Sequence, residues 1–298
     1  TKKDSEAASV FALGGWQFSD SEAIAMTESI VSEYEKLFGT SVPEQTSIFL
    51  LPFANVKQTG RWRAETRGKN ITIVSSPMPF KNQAVQRLHE QLRHEIFHLW
   101  IPNRLNLSGN YAWFYEGFAV YQALKTGVWL GQIRFEDFLS TLGRAYDIHV
   151  RSSNDVAFIS LANKPPNSVS ASVYSKGMLI AFLTDIAILR KTRGKKDIST
   201  IFKSLPFRDV SGALALSAND LILDRFTNRA ELKGIADKYL KGSAKIRWRD
   251  YLYSIGVEDV GKISFARLKV RPKLNRTQKA LLKKLGYNRW RKLVTRSR

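Results

Sequence analysis

The chain runs to 298 residues, enough for one large domain or two lobes with a sizeable core, and its 44% hydrophobic content is that of a globular protein. It has no cysteine, which excludes disulfide scaffolds, iron–sulfur clusters, thiolate zinc sites and cysteine nucleophiles. Lysine and arginine outnumber aspartate and glutamate by 47 to 26, a net charge of +21 that raises nucleic acid, anionic membranes and acidic partners as candidates.

The first residues, Thr-Lys-Lys-Asp-Ser-Glu, lack an initiator Met and an apolar signal region, and they read as a processed or trimmed end. An exported or cell-envelope location is therefore the expectation if an upstream signal was removed. Ser19-Asp-Ser-Glu22 has the pattern of a helix start, followed by Ile24, Ile30, Val31, Tyr34 and Leu37 and closed by Gly39. Thr46 to Phe53 is apolar and β-branched and reads as a buried strand. Arg61 to Thr66 and Asn70 to Ser75 read as two more strands, with Arg67-Gly68-Lys69 as their turn. From Asn82 the period becomes helical, with Val85, Leu88, Leu92, Ile96 and Leu99 as one stripe.

Beyond Asn110 nearly everything reads as helix: 111–126, 135–147, 171–193, 197–204, 217–228, 230–241 and 246–255. The Asn163-Lys-Pro-Pro-Asn167 stretch is the expected exposed loop. The longest apolar stretch, Gly177 to Leu189, is interrupted by Thr184 and Asp185 and is too short to cross a bilayer, so no transmembrane segment is expected.

Within the helix that begins near Asn82 lies His94-Glu95-Ile96-Phe97-His98. Two histidines at i and i+4 share one helical face, about 6 Å apart along the axis, so both imidazoles can grip one metal. Glu95, one position after the first of them, can reach a metal-bound water without being a ligand. Seventeen residues after His98 comes Glu116, inside the apolar, aromatic run Trp113-Phe-Tyr-Glu116-Gly-Phe-Ala. A carboxylate there must face water, find a partner or coordinate a metal, because burying it alone costs several kcal/mol.

These residues resemble the gluzincin metallopeptidases. His94 to Trp100, Asn103-Arg104 and Trp113 to Ala119 look most like the glycyl aminopeptidase family, and more distantly the aminopeptidase N family. A second block, Ser172-Val-Tyr174-Ser-Lys176-Gly177, is similar to their Tyr-x-Lys-Gly segment. The likeness spans roughly residues 16–256. It implies Zn2+ held by His94, His98 and Glu116, with Glu95 as general base and Tyr174 as the donor to the transition state. The fold implied is α+β, a zincin (thermolysin-like) catalytic domain: an α/β lobe over 1–109 ending in the metal helix, a helical lobe over 110–259, and a basic tail over 260–298. The function implied is peptide-bond hydrolysis by a zinc-activated water, on a peptide or protein substrate, aminopeptidase-like.

The Gly-x-Met-Glu-Asn segment that holds a free amine in aminopeptidase N relatives has no match in residues 59–73. Glu65 is the candidate substitute, though a surface strand glutamate is more often solvated, and an endopeptidase with the same chemistry is the alternative. Asn70–Ser75 is the expected sheet edge for an extended substrate. Domains flanking the core in the glycyl aminopeptidase family have no counterpart here. His89, five residues before His94, falls off the metal face, and His149 ends the 135–147 helix beside Arg151; both are expected at a surface or a helix end.

The net charge is concentrated at the C-terminus. No acidic residue follows Asp259, while Lys262 to Arg298 supplies fourteen basic side chains; the preceding 259 residues hold 33 minus 26, or +7. Asn275-Arg-Thr-Gln278 reads as another helix start, with Leu274, Leu281, Leu282 and Leu285 as an apolar side before Gly286. The expectation is a helix docked by its leucines with a solvated basic face. The rival, from another class of function, is a non-catalytic anion- or nucleic-acid-binding protein that uses this tail.

Overall fold

The computed structural model describes residues 1–42, 45–53, 60–152, 157–162, 171–207, 216–262 and 265–288. The Asn163–Asn167 loop and the last ten residues lie outside these. The chain forms two compact units, Thr1–Leu105 with Phe207–Asp209, and Asn106–Pro206 with Val210–Arg298.

The first unit is a five-stranded mixed sheet with two helices. Its strands are β1 (Lys2–Asp4), β2 (Ala8–Ala12), β3 (Thr46–Pro52), β4 (Trp62–Arg67) and β5 (Asn70–Ser75), in the order β1-β2-β3-β5-β4. β2, β3 and β5 run parallel, and β1 and β4 pair antiparallel at the two edges. The sequence does not announce β1 and β2, because three and five residues are too few to display a period. β5 is interior, not the expected edge; among the described residues the outermost strand on that side is β4. Strand order depends on which helix crosses over, and no local pattern carries it.

Helix α1 (Asp20–Phe38) links β2 to β3, as a parallel pair requires. It begins at Ser19, whose hydroxyl accepts from the Glu22 N–H at 3.1 Å while the Glu22 carboxylate accepts from the Ser19 N–H at 2.8 Å. It ends at Gly39, whose φ of 73° is the left-handed conformation glycine adopts freely. Alternation sorts the strands: Ile48 and Leu50 of β3 and Ile71 and Ile73 of β5 are buried. Buried with them are Ile24, Ile30, Val31, Tyr34 and Phe38 of α1, which packs on β1, β2 and α2, and Leu88, Leu92, Ile96 and Phe97 of α2 (Lys81–Phe97), which packs on β4 and β5. Val85, expected on the core stripe of α2, is only half-buried and Ala84 takes its place.

The second unit is helical. Its long elements are α3 (Ala112–Trp129), α4 (Phe135–Arg151) and α6 (Ala171–Lys191), with the short α5 (Phe158–Ala162) between the last two. Next come α7 (Ser199–Phe202), α8 (Ala218–Thr227), α9 (Ala230–Ile235), which runs on as a π-helix over Ala236–Leu240, and α10 (Arg249–Ser254). Two small ladders, β6 (Leu107–Ser108) with β7 (Leu216–Ser217) and β8 (Val257–Asp259) with β9 (Leu268–Val270), were not foreseeable from so few residues. The last described helix, α11 (Arg276–Lys284), begins with the Asn275–Gln278 capping box and buries Leu281, Leu282 and Leu285.

Helices α3 and α6 cross in near contact. A Cβ on Gly117 would lie 2.5 Å from the Gly177 Cα, and one on Gly177 would collide with the Trp113 carbonyl oxygen. Glycine at both positions is what lets the two backbones meet. About two turns further along, buried Asp185 of α6 accepts from the Lys125 ammonium and the Tyr121 hydroxyl, each at 2.6 Å, and from the Ile198 N–H at 3.0 Å. Those three donors satisfy a carboxylate that would otherwise be costly to bury. By length and composition α6 could cross a membrane, more than the Gly177–Leu189 stretch alone suggested, but 89% of its apolar window is buried inside the protein. A core helix accounts for that pattern.

Candidate metal centre

In the first unit, α2 delivers His94 and His98 from its last turn. His98 caps the helix, and its Nδ1 lies 2.8 Å from the Ile101 carbonyl oxygen. A carbonyl can only accept, so Nδ1 carries the proton and the Nε2 lone pair is left outward. That Nε2 lies 3.2 Å from Nε2 of His94, with the rings at 87°. Two nitrogens each 2.0–2.1 Å from a tetrahedral zinc would stand about 3.3 Å apart, so the pair fits one metal ion on the chemistry of its donors.

Glu95, between them in sequence, is buried. Its Oε2 accepts from the Thr66 hydroxyl at 2.7 Å, and its main-chain oxygen lies 2.9 Å from the same hydroxyl. Thr66 stands on β4, so the outermost strand on that side of the sheet and the Glu95 carboxylate meet at one side chain. Nothing in the sequence points to Thr66, which is 29 positions from its partner.

In the second unit, α3 places half-buried Glu116 immediately before Gly117, and α6 places Tyr174 three residues before Gly177. Asn219 fixes the start of α3, accepting from the Trp113 indole N–H at 2.9 Å and donating to the Asn110 carbonyl at 3.1 Å. The Tyr174 hydroxyl is pushed up to about 12, by burial first, then by the negative charge of Glu116 and the neighbouring Tyr115. The same two influences, burial and then Glu116, raise Tyr115. A carboxylate and a tyrosine that stays protonated thus share the same surroundings on α3 and α6.

Of the remaining histidines, His89 differs from expectation, while His149 has the expected helix-end place but is buried there. His89 is buried, and burial followed by the charge of Arg93 lowers it to about 4. His149 lies in the last turn of α4, which runs four residues past the expected end at 147. It is buried, its Nε2 accepts from the Ile246 N–H at 3.1 Å, and burial with the charges of Lys176 and Lys245 lowers it to about 4. Both are neutral core residues; a packed interior takes a neutral imidazole where it would reject a charged one. Glu65 is exposed on β4 and bonded to Arg67 at 2.6 Å, as a solvated strand glutamate would be.

No protein-family model matches the chain, and no curated protein matches it in sequence. Its fold does match solved structures. An aminopeptidase N family protein from Idiomarina loihiensis superposes with a TM-score of 0.71 at 18% identity, over 86% of this chain and 49% of that one. An M1 zinc metallopeptidase from Deinococcus radiodurans gives 0.51 at 16% identity, over 80% and 49%. A two-domain M1 zinc metallopeptidase variant bound to L-tryptophan gives 0.53 at 18%, over the same shares. The chain therefore has a mixed α/β fold similar to that of M1 zinc metallopeptidases and spans about half the length of the structures it matches.

Proposed function

We propose that the chain is the catalytic core of a zinc metallopeptidase, with His94, His98 and Glu116 as metal ligands, Glu95 as general base and Tyr174 as hydroxyl donor. The observation that carries this reading is the pair of Nε2 atoms 3.2 Å apart on α2, one with its tautomer fixed, beside a buried carboxylate. The fold of M1 zinc metallopeptidases supports it, and so does the resemblance of the same residues to the gluzincins; the thermolysin-like two-lobed arrangement and the nearness to glycyl aminopeptidases belong to this proposal.

Zinc, when bound, acidifies a water to a pKa of about 7 and polarises the substrate carbonyl. Glu95 takes the proton of the attacking water and passes it to the departing amine nitrogen. The Tyr174 hydroxyl, neutral across the working pH range, donates to the carbonyl oxygen as that oxygen gains charge. Zinc analysis of the purified protein tests the ligand set: about one ion per chain is expected, and none in His94→Ala. Glu95→Gln should keep the ion and lose on the order of 100- to 10,000-fold in kcat; unchanged turnover would sink the mechanism.

Aminopeptidase action follows the resemblance, and endopeptidase action has its own support. The amine-holding segment is missing, and Glu65, the candidate substitute, is engaged by Arg67. Comparing cleavage of free and N-terminally blocked peptides separates the two. A second reading, anion binding, is favoured by one feature of the second unit. Lys195, Lys196 and Lys203 beside α7 and Lys284 of α11 line a pocket of about 380 Å³. Its one acid, Asp197, is bonded to Ser199 at 2.5 Å and paired with Lys125 at 3.5 Å.

A further inference from the structure

Glu95 is buried, and among the described residues its carboxylate has a single hydrogen-bond donor, the Thr66 hydroxyl. That hydroxyl has one proton and two acceptors within reach, Oε2 at 2.7 Å and the Glu95 carbonyl oxygen at 2.9 Å. The carbonyl already accepts the His98 N–H at 3.0 Å, so the carboxylate has the greater need. A charged acceptor also forms the shorter and stronger bond. The proton therefore belongs on Oε2. The bond restricts rotation of the Glu95 side chain and leaves Oε1 as the oxygen free to take a proton.

Thr66 is itself held by the sheet. It stands opposite Ile71 in the β4–β5 ladder, and Ile71 is fully buried beneath the helices. Sliding β4 by one residue would turn Thr66 away and bring Glu65 or Arg67 inward, which the core does not admit. The hydroxyl is thus fixed by a different element from the one that carries Glu95. Loops and helix termini move more readily than a paired strand, and that makes β4 a firm reference for the carboxylate.

We propose that Thr66 is a positioning residue for Glu95, holding its Oε2 so that Oε1 faces the reacting water. The proposal rests on the metallopeptidase reading, and the test is built in two arms so that the two can fail separately. In the metal-free protein carrying 13C-labelled glutamate, the Glu95 side-chain carboxyl resonance is identified by its disappearance in Glu95→Gln. Thr66→Val, equal in size and suited to a strand, should shift that resonance; Thr66→Ser, which restores the hydroxyl, should bring it back. In the zinc-loaded enzyme, Thr66→Val should lower kcat by about tenfold or more with KM and zinc content unchanged, and Thr66→Ser should recover most of it. A resonance and kcat in Thr66→Val equal to wild type would overturn the proposal, as would a shift that Thr66→Ser fails to reverse, since that would mean packing alone. A wild-type protein that cleaves no peptide would refute the metallopeptidase reading, and the resonance arm would still decide whether Thr66 holds Glu95.

Discussion

Residues close in sequence display their geometry most directly. His94, Glu95 and His98 sit within one helical turn, so their geometry follows from helical pitch, and the sequence displays it without help from the fold. Burial is different, since a histidine's letter says nothing of what surrounds it. His89 and His149 read as surface or helix-end residues in the sequence; both are buried in the structure, His149 in the last turn of α4, and each is lowered to about 4 by burial first. This has a consequence for acid stability. Unfolded, each would titrate near the ordinary 6.5; folded, each resists protonation until about 4. Above pH 6.5 both states are neutral and these histidines add no pH dependence. Between 6.5 and 4 the unfolded chain takes up protons that the folded one refuses, so stability falls through that window and levels off below it. His149→Gln keeps an acceptor for the Ile246 N–H and cannot titrate. Its melting temperature should therefore decline less than wild type between pH 6.5 and 4; parallel curves would count against the assignment.

Among elements, those with a capping signature were legible. Ser19 with Glu22 and Asn275 with Gln278 both form the reciprocal bonds their spacing promised, and the helices start where they do. Elements that exist by pairing were not. β6 and β7 are two residues each, drawn together across 109 positions, and β5 reads as an edge although β4, which precedes it in sequence, pairs outside it. The crossing of α3 and α6 lies between these cases: Gly117 and Gly177 are visible as letters, but only the structure shows that they face each other. Glu116 and Tyr174 ride on those helices one and three residues away. Gly177→Ala should force the helices apart, cost about 1–3 kcal/mol or more and lower activity beyond the loss of folded protein. A variant with wild-type melting temperature and kcat would contradict the close-crossing account.

At the scale of the whole molecule, charge and hydrophobicity both misled in raw form and were corrected by location. The +21 of the chain is mostly a C-terminal property, yet Leu281, Leu282 and Leu285 bury α11 in the second unit, so part of that charge is displayed on a docked helix. The lysine-lined pocket beside α7 gathers like charges around a concavity, an arrangement an anion would relieve. Inorganic phosphate or pyrophosphate should bind there weakly at low salt and weaken steeply as salt rises. Joint substitution Lys195→Glu and Lys284→Glu should abolish that binding while zinc content stays at wild type. Equal binding by wild type and variant would remove the second reading. Likewise the apolar α6, long enough to suggest a membrane, owes its composition to being surrounded by protein on all sides.

Among the described residues the outer edge of β4 has no strand paired to it, which bears on association between copies of the chain. An unpaired strand edge is a template for any extended backbone, including the same strand of another copy. On β4 the exposed positions are Arg63, Glu65 and Arg67. Two copies pairing antiparallel about Glu65 would set Arg63 of each against Arg67 of the other and the two Glu65 side chains face to face, and every one of those contacts is repulsive. An edge charged in this way discourages self-assembly into larger sheets, while its main-chain groups stay available to chains that do not mirror it.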